Sequence, residues 1–414
     1  MAQVAVLHAP QLVTLAGPRR ARVGAEMREL GILDDGGMLV EDGRIVAVGP
    51  AREIENSLGS GTEILDATGR VVLPGFIDAH THPVFAGSRV DEFELRAQGA
   101  TYEEIAERGG GIHSTVKKTR AATEDELLLQ AKRHAQWFLR AGTTTVEAKS
   151  GYGLTEDDEL KLLRVIRTLN HETSLECVPT FLGAHAVPDE FRNAPEQYVA
   201  LVIHKMLPRI VEESLAESCD IFCERGYFEI ADAEKIMRAA QEHGLRLRMH
   251  VDQLTNSGGA FLAARLRAAT ADHLEQINAA EIAALAEAGV QPVLLPGSVY
   301  ALGKTRYPPA RAMIEAGLAV VLATDFNPGS SPTPSIPMIL SLAATQMKMT
   351  PAEAVTAATI NAAYSLNRGD QIGSLESGKR ANFVLYDCAD YREIAYYFGL
   401  SLVNSVYARG ERVL

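Results

Sequence analysis

Cysteine is scarce. Only four occur in 414 residues, at Cys177, Cys219, Cys223 and Cys388. That is too few for a disulfide scaffold, and no second Cys or Cys/His pair completes a zinc-finger spacing with Cys219 and Cys223. They read as reduced, mostly buried thiols. No stretch approaches the ~20 consecutive apolar residues of a membrane-spanning helix. Met1–Ala9 lacks the basic-then-apolar order of a secretion leader, so the expectation is a cytoplasmic protein. Basic residues are outnumbered: 40 Lys and Arg against 53 Asp and Glu give a net charge of -13. That argues against general binding to nucleic-acid backbones or to anionic membranes. It leaves open an anionic small molecule, because one buried arginine can override the overall field locally. Internal repeats beyond the strand–helix unit and low-complexity tracts are also missing.

What is present is a chain with 47% hydrophobic residues, long enough for a barrel of roughly 250–300 residues with an accessory domain. Both ends read as short strands. Met38-Leu39-Val40 and Ile45-Val46-Ala47-Val48, joined through Asp42-Gly43, have a hairpin signature. Phe383-Val384-Leu385-Tyr386 and Ser405-Val406-Tyr407-Ala408 give the C-terminus the same texture. Residues 1–72 and 370–414 are expected to form one small β-sandwich domain built from both termini. Residues 73–369 alternate strands and amphipathic helices, with strands beginning near Leu73, Thr143, Ser174, Asp220, Arg246, Thr270, Pro292 and Ala319. Thr123-Glu124-Asp125-Glu126 has the form of a capping box at a helix start. Eight strand–helix units predict an α/β fold of the closed (β/α)8 TIM-barrel type. An open doubly wound sheet would want a glycine-rich loop after its first strand. The first strand here runs instead into His80-Thr81-His82, and Gly109-Gly110-Gly111 lies in a long polar loop.

His80 and His82 are two residues apart, so on a strand both imidazoles face one side and could share a metal. Alone, the pair also fits two unrelated histidines near a strand end. The other strand ends weigh on that choice, because barrel enzymes place their chemistry there. His185 follows the third strand, His250 ends the fifth, His273 the sixth and Asp325 the eighth. The remaining histidines, such as His134 and His204, fall on helices, in loops or at the terminus and read as structural.

These residues, with Phe76-Ile77-Asp78-Ala79-His80-Thr81-His82 after Leu73-Pro74-Gly75, resemble the amidohydrolase superfamily. Further segments are similar to its imidazolonepropionase family: Asp78 through Arg89, Lys149-Ser150-Gly151-Tyr152-Gly153-Leu154, Thr180 through His185, and Thr324-Asp325-Phe326-Asn327-Pro328-Gly329. The resemblance implies one divalent or trivalent metal per subunit, held by His80, His82, His250 and Asp325, with zinc or iron suited to such ligands. It implies metal-assisted hydrolysis of 4-imidazolone-5-propanoate to N-formimidoyl-L-glutamate in histidine degradation, by water attack on the cyclic amide carbonyl. His273 would be the general base, Asp325 would help handle the proton, and His185 would hydrogen-bond the carbonyl. Arg89 would clamp the propionate, with Tyr152, Gln253, Asn327, Gly329 and Ser330 around the ligand; Ser331 could stand in for Ser330. Binuclear relatives carry a carbamylated lysine after the fourth strand. Lys149 is the candidate for that role, although the resemblance points to a single metal. A homodimer acting on a small molecule, without nucleic acid or membrane, completes the expectation. Another cyclic amidohydrolase or a deaminase on the same barrel is the alternative. Deaminases on this barrel carry glutamate where Gln253 stands, and an amide cannot shuttle protons. A non-catalytic barrel would be expected to lack ligand residues, and none is missing.

Overall fold

The computed structural model describes residues 3–100, 104 and 109–414. Three sheets organise them. Eight parallel strands follow one another in chain order: Phe76–Asp78, Thr143–Lys149, Glu176–Ala184, Ser218–Cys223, Arg246–Val251, Thr270–His273, Gln291–Leu294 and Val321–Leu322. Helices cover their outer faces, so the strands are buried on both sides and read as nearly continuous apolar runs. Several of the connecting helices carry side-chain caps at their N-termini. Thr123 accepts the Glu126 N–H and Glu126 answers at the Thr123 N–H, opening Glu124–Arg140; Asn278 and Glu281 do the same before Ala279–Ala288.

The two remaining sheets come from the chain ends. One has four strands, ordered Arg44–Pro50, Gly36–Glu41, Gln3–Ala9, Glu63–Asp66. The other has six and includes Val71–Pro74, Gln11–Val13, Phe383–Tyr386 and Val403–Ala408. Val6, Met38, Val40, Val72, Phe383 and Leu385 pack in one core between them, as in a sandwich. The hairpin turn is Asp42-Gly43, both with positive φ (47° and 76°), as a tight turn of this hand requires. The four cysteines are free and buried. Among the described residues no helix is long and apolar enough to cross a membrane.

Two strands differ from the sequence reading. The apolar run from Val71 serves two sheets: Val71–Pro74 pairs with Phe383–Tyr386 in the terminal sheet, and only Phe76–Asp78 enters the barrel. Gly75 makes the break, where a side chain would collide with Thr144 (2.4 Å). The last barrel strand is short, Val321–Leu322, and has no ladder to the first.

The seam between them is closed differently. Buried Asp78 accepts the Thr324 N–H (2.9 Å) and Oγ–H (2.5 Å). Just above, Asp325 N donates to His80 O (3.1 Å) and His82 N to Phe326 O (2.8 Å). Replacing Asp78 by Ala leaves the Thr324 donors buried without that acceptor. The variant should lose about 3 kcal/mol of stability, read by denaturant unfolding; a loss under about 0.5 kcal/mol, the size of an ordinary surface change, would show that the seam does not depend on it.

Candidate metal centre and active site

The C-terminal mouth of the barrel opens on a cavity of ≈ 610 Å³. The residues given ligand, proton-transfer or substrate roles from the sequence all line it except His80, which is buried; Lys149 and Ser331 do not line it either. Sheet register brings the ligand-type residues level: Phe222 pairs with His250, His250 with Asp272, and Val251 with His273.

His80 Nδ1 donates to Asp272 Oδ2 at 2.7 Å, so the lone pair of the neutral ring sits on Nε2. That atom has no hydrogen-bond partner among the described residues and stands 3.6 Å from Asp325 Oδ1. His82 Nε2 is also 3.6 Å from Asp325 Oδ1, and its Nδ1 is unpartnered among the described residues. His250 Nδ1 lies 3.0 Å from Asp220 Oδ2, in ion contact though off the line of a good hydrogen bond. Ligand atoms of His80, His82 and His250 lie within 4.8 Å of one another, as do those of His80, His273 and Asp325. The two groups share His80, and Asp325 reaches both rings of the His-Thr-His pair. Burial, and then Lys149, hold His80 well below the ordinary histidine range; burial, and then His185, do so for His82. Burial takes His250 to about 4 and raises the Asp325 carboxyl to about 6. Neutral buried imidazoles with unsatisfied nitrogens, beside a carboxylate, form a donor set that fits a divalent ion.

His273 and Asp325 sit on strained backbone, with φ of 80° and 56°; Leu274, at 69°, continues the strain. Such outliers concentrate where side-chain aim matters more than backbone comfort. The His273 ring packs 5.3 Å from His250, with Nδ1 3.4 Å from Glu275 Oε1. Burial opposes its charged form, but Glu275 outweighs this and raises its pKa. His185 stacks on His82 at 5.2 Å and donates Nδ1–H to Gly151 O (3.0 Å). Burial lowers it to about 4, so the neutral ring offers Nε2 as an acceptor. Donation to a carbonyl, the role the resemblance implied, would need the doubly protonated ring.

The loop after the eighth strand is held by Asn327. Its Oδ1 accepts the N–H groups of Gly329 (2.8 Å) and Ser330 (2.7 Å), and its Nδ2 donates to Asp325 O (2.6 Å). Ser330 Oγ reaches Asp325 Oδ2 at 3.3 Å. Ser331 cannot replace it: its buried hydroxyl donates to Thr324 O (2.6 Å). Asp252, next to Gln253, does not line the cavity and accepts the N–H groups of Ser257 (2.9 Å) and Ala260 (2.9 Å).

Lys149 ends the second barrel strand, not the fourth. Its Nζ is 2.7 Å from Glu147 Oε1 and 2.6 Å from Asp220 Oδ2. Burial works against the ammonium, but these carboxylates win and raise its pKa, so its amine is engaged as an ion-pair partner. Glu147, Asp220, Arg248 and Asp272, all fully buried, were missed in the sequence reading. The available signal was a charged residue inside each of four buried strands.

Comparison with known proteins identifies the family. The amidohydrolase family matches residues 71–413. The imidazolonepropionase of Solibacter usitatus is 62% identical over 413 residues, covering 100% of this chain and 99% of that protein. That of Alkaliphilus metalliredigens is 45% identical over 415 residues, covering 100% and 98%. Among solved structures, an adenosine deaminase from Xanthomonas campestris with bound zinc superposes with a TM-score of 0.75 at 20% identity, over 100% of this chain and 93% of its own. At that identity the likeness concerns the fold. The chain belongs to the imidazolonepropionase family of amidohydrolases.

Proposed function

We propose that this protein hydrolyses 4-imidazolone-5-propanoate to N-formimidoyl-L-glutamate, as a step in histidine degradation. The observation that carries this reading is that buried Arg89 lines the same cavity as the His/Asp cluster. A carboxylate-binding group and a water-activating centre are then within reach of one small ligand.

His80, His82, His250 and Asp325 would hold one zinc or iron ion. When bound, such an ion polarises a carbonyl and lowers the pKa of a water to around 7. Water adds to the ring carbonyl, the C–N bond breaks, the carbonyl carbon becomes a carboxylate, and the ring nitrogen gains a proton. His273, braced by Glu275, takes the proton from the attacking water and returns it to the leaving nitrogen. Asp325, close to Ser330 and the His-Thr-His pair, shares in moving that proton. Arg89 takes the propionate, which suits a planar guanidinium. Tyr152 closes one side, 5.3 Å from His185. Gln253 offers its amide to the ring nitrogens, and this neutral residue speaks against deamination. With Nδ1 committed to Gly151, His185 accepts a substrate N–H at Nε2 and so orients the ring. A homodimer is inferred as well, and the exposed Tyr396, Tyr397, Phe398 and Leu400 are the apolar surface such a contact could cover; a monomer mass in sedimentation would remove this part of the reading.

Loss of imidazolone absorbance should be fast with metal-replete protein, abolished by chelation and restored by zinc or iron. Metal analysis should find about one ion per chain, the number this ligand set implies, and far less in His80→Ala. Absence of turnover by the fully loaded protein would sink the proposal. For His185, nitrogen chemical shifts in the metal-free protein should report a proton on Nδ1 through the neutral range, with the ring charging only near about 4. A proton on Nε2 would instead return it to the role of a donor to the carbonyl.

A further inference from the structure

We propose that Glu92 is a positioning residue for substrate recognition: it sets the guanidinium of Arg89 and ties it to the backbone at Gly111. This rests on the reading of Arg89 as the carboxylate clamp. Glu92 lies on the helix Val90–Ala97, three residues after Arg89, and both side chains are buried. One carboxylate oxygen, Oε2, accepts Arg89 Nε–H at 2.8 Å and Nη2–H at 2.6 Å. The other, Oε1, accepts the Gly111 N–H at 3.1 Å, where Gly111 precedes the helix Ile112–Ala121. On the far side the guanidinium presses on Gly329: a Cβ there would lie 1.9 Å from Arg89 Nη1. The flat group is therefore held between a carboxylate and a backbone without a side chain. It cannot turn away from the cavity without losing Glu92 or colliding with the loop after the eighth strand.

Two effects of Glu92 oppose each other. Its charge competes with the substrate carboxylate for Arg89, which weakens binding. Its hydrogen bonds fix a long, rotamer-rich side chain before the ligand arrives, which strengthens binding by removing an ordering cost. Geometry decides between them. Both oxygens of Glu92 are in use as acceptors, and glutamine supplies only one. In Glu92→Gln, either Arg89 or the Gly111 N–H must face an NH2 group, so the clamp loosens even as the competing charge disappears.

The test is a double-mutant cycle on the metal-loaded enzyme, using the carboxylated imidazolone and its analogue with ethyl in place of propionate. Glu92→Gln should raise KM for the carboxylated substrate on the order of tenfold, the worth of one charge-assisted hydrogen bond. Its kcat should stay within about twofold, the pattern of lost uniform binding, with metal content unchanged and no effect on the analogue. In an Arg89→Ala background the same substitution should add nothing, because Glu92 acts through Arg89. Losses that multiply in the double variant, a fall in kcat alone, or an equal effect on the analogue would overturn the proposal. If Arg89→Ala itself fails to separate the two substrates, the clamp reading falls. If it separates them and Glu92→Gln does not, only the role of Glu92 falls. Should Glu92→Gln not fold, Glu92→Asp, which keeps the charge but is one methylene too short to span both contacts, enters the same cycle with the same criteria.

Discussion

The His80 imidazole strung between Asp272 at 2.7 Å and Asp325 at 3.6 Å is the contact on which the rest of the site depends. Asp272 does not stand alone. Arg248 is 3.6 Å from it and 3.1 Å from Glu147, and Lys149 links Glu147 to Asp220, which faces His250. Three carboxylates and two cations are thus fully buried beneath the cavity. Charges out of water are costly, and each is tolerable only because the others are in place; removing one partner of a buried pair typically costs about 3–5 kcal/mol. Burial would raise Asp220, yet His250 and Lys149 hold it well below the carboxylate range. The network makes a poor stability device and a good orienting one, since it has few alternative arrangements once the barrel has closed around it.

Four histidines at the cavity share one habit: Nδ1 turns outward to an oxygen. The partners are Asp272, Asp220, Glu275 and the Gly151 carbonyl. The partner sorts their chemistry. A carboxylate behind His80 and His250 fixes the ring and makes the far nitrogen a better metal ligand. Glu275 behind His273 favours the protonated ring, as a base that must accept a proton requires. A carbonyl behind His185 gives a neutral acceptor. One residue type serves three tasks, and the difference lies in atoms outside the cavity.

This explains what could and could not be read from the chain. Strand-end residues were legible because a parallel barrel brings every C-terminal strand end to one mouth, so His185, His250, His273 and Asp325 needed no knowledge of contacts. The hairpin through Asp42-Gly43 was legible because its turn demands positive φ. The partners of the histidines were not, since the contact of Asp272 with His80 spans 192 residues and joins strands that are not neighbours in the sheet. Arg89 and Glu92 lie at a helical i, i+3 spacing that sequence displays, but the Gly111 N–H that uses the second oxygen does not. The break at Gly75 was hidden because a single apolar run satisfies both sheets until Thr144 is placed against it.

Barrel closure and the metal-type site are one structure. The first and last strands share no ladder, and their junction consists of Asp78 with Thr324, plus backbone bonds that run through His80, His82, Asp325 and Phe326 themselves. Asp325 adopts its left-handed backbone at that junction, and strain of about 1–3 kcal/mol persists only where neighbours over-determine a residue. The hydrogen bonds that close the barrel are therefore the ones that aim Asp325 at the His-Thr-His pair. A substitution that loosens the seam must also move the carboxylate relative to both imidazoles, so closure and ligand geometry cannot be tuned independently.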